Sequence, residues 1–280
     1  MNRVKKELNQ NALIAISAEE KKEYLLMGKG IGFGKKVTER IEAGPDVRIY
    51  SLMELTERGD ARELIKNIAP ECLELANDVL TCAEKEFGKI DHSILFPMAD
   101  HIEFALKRIR SNEQISNPLT EDIRILFHKE FKVAECIKPL LKERFDITID
   151  DHEVGYIALH IHSAIEDEKV SQAMQTAKAV RDCISLVEEQ TGRKIDVLSL
   201  SYNRLMNHVR FMVARALSGE KLKVSMNDYV EIKFPESFNL AKVICSEIEK
   251  SMKIELDEVE IGYLAIHIER VVYEEMRKEE

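Results

Sequence analysis

Four histidines stand at matched places in this chain. Gly155-Tyr156-Ile157-Ala158-Leu159-His160-Ile161 returns as Gly262-Tyr263-Leu264-Ala265-Ile266-His267-Ile268, and Asp100-His101-Ile102-Glu103-Phe104 is echoed by Asn207-His208-Val209-Arg210-Phe211. Both repeats have the same offset, 107 residues, since 267 − 160 = 107 and 208 − 101 = 107. Within each copy the two histidines are 59 residues apart, so they fall on different elements that can bring two imidazoles together. A period this long is the mark of a duplicated helical module.

Three chemistries use a pair of imidazoles. Metal binding asks for at least a third ligand. His160 and His162 diverge by about 200° on a helix, and no HExxH occurs, because His152-Glu153 is followed by Val154, Gly155 and Tyr156. No metal and no cofactor is expected. Acid-base or nucleophilic catalysis asks for an orienting carboxylate; Asp100 adjoins His101, but its counterpart is Asn207. Phosphoryl acceptance asks only for an exposed, neutral histidine and a docking partner, which fits all four. Taken singly, a histidine at the margin of an apolar stripe is a half-buried structural residue. The pairing in both copies favours the functional reading.

The elements that position these residues follow from apolar periodicity. A helix opens at Pro70 and closes at Gly88, and a second carries Ile94, Met98, Ile102, Ala105, Leu106 and Ile109 with His101 at the edge of its stripe. A third surrounds Val133, Ile137, Leu140 and Leu141, and a fourth follows Asp150 with His160 at its margin. After Glu166-Asp167-Glu168-Lys169 the pattern restarts. Gly88 lies 13 residues before His101 and Gly192 lies 16 before His208, so the second copy carries a three-residue insertion.

Ahead of the helices lies a different head. Residues 11–17, 23–27 and 47–52 are short, apolar and partly β-branched, with a polar turn at 18–22, and predict a small antiparallel sheet. Between the last two strands, Gly28-Lys29-Gly30-Ile31-Gly32-Phe33-Gly34-Lys35-Lys36 holds four of the eleven glycines. In an extended conformation their spacing leaves one face bare while Lys29, Ile31, Phe33 and Lys35 project from the other. Lysines to meet phosphates and a ring to stack on a base suit RNA. A tightly packed glycine bulge is the structural alternative. Neither a dinucleotide fingerprint nor a P-loop fits this run.

Charge sorts the chain the same way. The net charge is −10, yet residues 1–41 hold nine Lys/Arg against five Asp/Glu, so they carry +4 and the rest carries −14. A basic head on an acidic body is the composition of a nucleic-acid-binding end joined to something that must not bind nucleic acid. The five cysteines are odd in number, widely spaced and lack any CxxC, which reads as buried hydrophobes in a reducing compartment. No apolar run reaches the length of a membrane span and no signal peptide is evident, so a cytoplasmic protein without membrane insertion is expected.

With Asn11, the Gly28–Lys36 run, Ala99-Asp100-His101 and Gly155-Tyr156-Ile157-Ala158-Leu159-His160 in this order, the chain resembles the BglG/SacY family of bacterial transcriptional antiterminators over essentially its whole length. The resemblance implies an α+β multidomain protein. A small antiparallel co-antiterminator sheet (1–60) binds a nascent RNA hairpin as a homodimer, and two all-α regulation domains of the phosphotransferase system (PRDs, 61–172 and 173–280) follow. It further implies phosphorylation of His101 and His160 in the first PRD and of His208 and His267 in the second, by HPr and a sugar-specific enzyme II. RNA contacts fall on Asn11, Gly28, Lys29 and Phe33; Lys29 replaces an arginine and Gly34 a glutamine found in some relatives. The Gly-Ile-Gly-Phe-Gly run and the His160-Ile161-His162-Ser163-Ala164 ending look most like the branch controlling glucose-transport operons. The branches serving β-glucoside or sucrose operons compete with it. A DNA-binding regulator with duplicated PRDs would show a helix-turn-helix head in place of strands, and no motif for a phosphotransfer enzyme is present.

Overall fold

In a computed structural model, residues 2–278 are described except 54, 57, 58, 114, 167 and 198. Glu54, Glu57 and Arg58, which are near the end of the head in sequence, and Asp167, in the polar stretch Glu166-Asp167-Glu168-Lys169, lie outside the described residues.

The head is an antiparallel sheet. Its strands are β1 (Asn2–Asn9), β2 (Ala12–Ser17), β3 (Glu23–Met27), β4 (Arg40–Ile41) and β5 (Arg48–Ser51), in the order β4-β1-β2-β3-β5. A short hairpin, β6 (Leu55–Thr56) with β7 (Gly59–Asp60), follows. Val4, Leu13, Ala15, Leu26, Ile31 and Ile41 form its core. The sequence reading missed β1, because Val4 is the one residue of that strand that buries an apolar side chain among charged neighbours. Pairing with β2 and β4 on its two sides makes it a strand regardless of its composition.

The glycine run is not extended, which corrects the expectation above. Ile31, Phe33 and Lys35 donate their amides three residues back, to Gly28, Gly30 and Gly32, so the segment is a series of tight turns. Gly30 (φ +73°) and Gly34 (φ +68°) occupy the left-handed region that such turns require. Ile31 therefore points into the core while Phe33 is 70% exposed, where a shared face was expected. At Gly32 a Cβ would come within 2.1 Å of the Asn9 carbonyl oxygen, so one glycine serves close backbone approach within the head itself.

Helices make up the remainder: α1 (Ala61–Asn67), α2 (Pro70–Phe87), α3 (Leu95–Arg110), α4 (Thr120–Leu126), α5 (His128–Ala134), α6 (Ile137–Phe145), α7 (Asp151–Ile165), α8 (Val170–Thr191), α9 (Leu200–Ser218), α10 (Asn227–Lys233), α11 (Pro235–Met252) and α12 (Val259–Lys278). Proline at the start and Gly88 (φ +81°) just past the end bound α2 as the sequence indicates. The Asp150 carboxylate accepts from the amides of His152 and Glu153 and so caps α7. The single helix expected around Val133 to Leu141 is two, α5 and α6, interrupted at Glu135-Cys136.

Packing divides the chain into two compact units, one of residues 1–120 with 127–170 and one of 121–126 with 171–280. The five cysteines are free thiols, buried or half-buried. Among the described residues, no helix is long and apolar enough to cross a membrane, and no group of three or more His, Cys, Asp or Glu is arranged to hold a metal ion.

Candidate functional site

Each module builds the same cluster from two facing helices. In the first unit, His101 on α3 and His160 on α7 lie with ring centroids 5.6 Å apart, and Tyr156 stands 5.1 Å from His101. Glu153, one helical turn before Tyr156, brings Oε2 to 3.3 Å from His101 Nε2; the approach is electrostatic, not a directed hydrogen bond. Its Oε1 accepts from Arg108 at 2.8 Å. Burial works against the Glu153 carboxylate, but His101 and Arg108 outweigh it and hold its pKa below the usual range.

The second unit repeats this residue for residue. His208 on α9 and His267 on α12 are stacked 4.8 Å apart, with Tyr263 at 6.4 Å from His208. Glu260 approaches His208 Nε2 at 3.6 Å and receives both arms of Arg215, at 2.7 and 2.9 Å. Glu153 with Glu260, Tyr156 with Tyr263 and Arg108 with Arg215 all obey the 107-residue offset of the histidines. The unit conserved between the modules is thus a pentad of two His, one Glu, one Arg and one Tyr.

Two expectations change here. The sequence neighbours of the histidines offer an orienting carboxylate, Asp100, in the first copy alone; in both copies the carboxylate instead comes from the opposite helix, as Glu153 and Glu260. Its signal was present in the spacing, since Glu153, Tyr156 and His160 (i, i+3, i+7) share one helical face, as do Glu260, Tyr263 and His267. The histidines are also less open than phosphoryl acceptance was taken to need. His101 and His160 are 6% and 3% exposed, and the side chain of His208 is 10% exposed, because the facing stripes close over the ring pair. The repeated glycine has a packing reason: a Cβ on Gly262 would come within 2.5 Å of Asn227 Oδ1, which accepts from the Gly262 amide.

Three buried histidines carry shifts of opposite sign. Burial, His267 and Arg215 depress His208 to about 3, and burial with Arg270 and Arg204 lowers His267, so this pair is neutral at pH 7. His162, absent from the pairing, is fully buried between Glu130 (Nδ1, 3.0 Å) and Glu168 (Nε2, 3.1 Å). Burial opposes its charge, but the two carboxylates prevail and raise its pKa, favouring the imidazolium in a structural role. The signs are opposite. Depressed values at His208 and His267 mean stability that is complete above their unfolded value near 6.5 and declines as the pH falls toward about 3. The raised value of His162 means stability that is complete below 6.5 and declines as the pH rises past its folded value. Hydrogen exchange corrected for intrinsic rates is expected to show α9 and α12 losing protection between pH 7 and 5 while α5 and α7 keep theirs, and α5 and α7 losing it only as the pH rises above 6.5. Parallel loss in both units on acidification would contradict this assignment.

In the head, the four expected RNA residues gather around one loop. Asn11, in the β1–β2 turn, accepts the Gly30 amide on Oδ1 at 3.0 Å and the Gly28 amide on its backbone carbonyl at 2.9 Å. The turn of Asn11 and the glycine run thereby form one rigid surface from which exposed Lys29 and Phe33 project.

Comparison with known proteins places these features. The CAT RNA binding domain matches residues 2–58, and the PRD domain matches twice, over 74–164 and 181–271. The GlcA/glcB genes antiterminator of Staphylococcus carnosus (strain TM300) is 28% identical over 95% of this chain and 94% of its own length. The beta-glucoside operon antiterminator of Dickeya chrysanthemi is 28% identical over 96% of each. A solved structure titled "Crystal structure of GlcT CAT-PRDI" covers 59% of this chain and 98% of its own, with 32% identity and a TM-score of 0.50. With two PRD domains behind a CAT RNA binding domain, the chain belongs to the PRD family in the BglG/SacY architecture that its sequence resembles.

Proposed function

We propose that the protein is an RNA-binding transcriptional antiterminator whose head, residues 1–60, holds a nascent hairpin against a competing terminator in the cytoplasm. The PRDs, 61–172 and 173–280, control it through phosphate on His101, His160, His208 and His267. The observation that carries this reading is the pentad built twice at one offset, in a chain whose head presents Lys29 and Phe33 beside Asn11 and Gly28. Relatives named as antiterminators support it, and those that carry the name GlcT support a glucose-transport operon. A relative serving a beta-glucoside operon at the same 28% identity supplies the second reading, which differs only in the operon.

Neutral imidazoles are the form that accepts phosphoryl from a phosphohistidine donor, here HPr directly or through a sugar-specific enzyme II. Transfer onto rings this buried requires the helix pair to part. A phosphate adds nearly two negative charges within reach of Glu153, whose carboxylate stands 3.3 Å from His101 Nε2. The carboxylate is repelled, Arg108 is drawn to the phosphate, and the helices pack anew. In a C2 homodimer the change acts twice and alters how the two heads align on RNA. Mass spectrometry after incubation with phosphorylated HPr, with and without enzyme II, tests the acceptors. Phosphate on the paired histidines is expected; phosphate on none of them, or on His162 alone, would defeat the reading.

A further inference from the structure

Helix α2 of the first unit presents one polar stripe to the head. Glu74, half-buried, accepts from the side-chain amide of Asn9 through Oε1 at 2.7 Å and from that of Asn11 through Oε2 at 3.3 Å. One turn on, Asn77 Oδ1 accepts from the Tyr50 hydroxyl at 2.7 Å. Two turns beyond, Glu84 pairs with Arg48 and stands 2.6 Å from His92 Nε2. Positions 74, 77 and 84 share a helical face, so the three contacts form a single docking edge.

Asn11 is committed on both sides of its amide. Oδ1 is spent inside the head on Gly30, and Nδ2, the group left to meet a ligand, points to a carboxylate. A carboxylate on side-chain amides and another on an arginine are the contacts that phosphate oxygens make with the same groups. The acidic body thus offers the basic head an anion of its own, at the loop where Lys29 and Phe33 project.

We propose that Glu74 masks the RNA loop: α2 occupies Asn9 and Asn11 in place of RNA, so that binding requires the head to leave α2. The inference rests on the reading of the Asn11 loop as the RNA surface. Binding and docking then exclude one another, and the observed affinity is the intrinsic one multiplied by the fraction of undocked heads. The polar contacts are few and half-buried, and the one buried ring among them, Tyr50, stands edge-on to His92 and Phe96, so undocking exposes a single aromatic side chain. A carboxylate left in place would also repel the phosphate backbone, so the two states do not mix.

The test is RNA affinity of the full chain, using a stem-loop selected on the wild-type protein from a randomised hairpin library. Glu74→Ala keeps α2 helical, because alanine is the best helix former, and is expected to bind about tenfold tighter if the docked state outweighs the free one by about ten to one. Glu71→Ala removes the same charge from an exposed position on the same helix and is expected to leave affinity within about twofold. Equal tightening in both variants would replace the mask by general charge repulsion and overturn the proposal. Unchanged or weaker binding by Glu74→Ala would overturn it as well, weaker binding making Glu74 a prop for the loop. If neither the wild type nor any variant retains RNA in the selection, the RNA reading itself fails and the mask falls with it.

Discussion

Glu260→Ala is expected to destabilise the second unit by roughly 3–5 kcal/mol, the cost of leaving a buried partner charge uncompensated. The carboxylate is 2% exposed and takes both arms of Arg215, whose side chain is 18% exposed, so neither water nor a neighbouring acid readily replaces it. The double variant Glu260→Leu with Arg215→Met removes both charges and keeps the volume, and is expected to recover most of the loss. Urea unfolding followed in the second unit reads both. A single variant within about 1 kcal/mol of wild type, a loss typical of a surface ion pair, would show that the pentad is not held as described.

Phe33→Ala carries the second large effect. The ring is 70% exposed at the tip of a rigid turn and packs on nothing in the core, so its removal leaves the head's stability unchanged. A ring that stacks on a base is worth roughly 1–3 kcal/mol, a loss of about 5- to 150-fold in RNA affinity. Binding falls with salt as lysines release counterions. Affinity within twofold of wild type would remove Phe33 from the interface.

Period and composition made much of this molecule legible. The 107-residue repeat marks the two histidine pairs, because a duplicated site keeps residue types that packing alone would let drift. Strands β2, β3 and β5 were readable from short apolar runs, some of them β-branched, and the bounds of α2 and α7 from Pro70, Gly88 and Asp150. Three things were not readable. Strand β1 shows a single inward apolar side chain, so its identity comes from pairing, which is non-local. The alternating glycines suit an extended strand as well as a chain of turns, and hydrogen bonds to Asn11 and Gln10 decide between them. Glu153 and Arg108 lie 45 residues apart, and only the crossing of α3 and α7 shows that one carboxylate serves both His101 and that arginine.

The central claim is that phosphate on the PRD histidines sets how the head acts on RNA. Single-round transcription across the leader and terminator of the operon tests it most directly, with purified chain added before or after phosphorylation by HPr and enzyme II. The account predicts read-through with the unphosphorylated wild type and less read-through once the first PRD is phosphorylated. It also predicts no response to the donor when His101 and His160 are both alanine, at an unchanged melting temperature. Read-through that the chain does not raise, or that responds to the donor equally well without those two histidines, would contradict it.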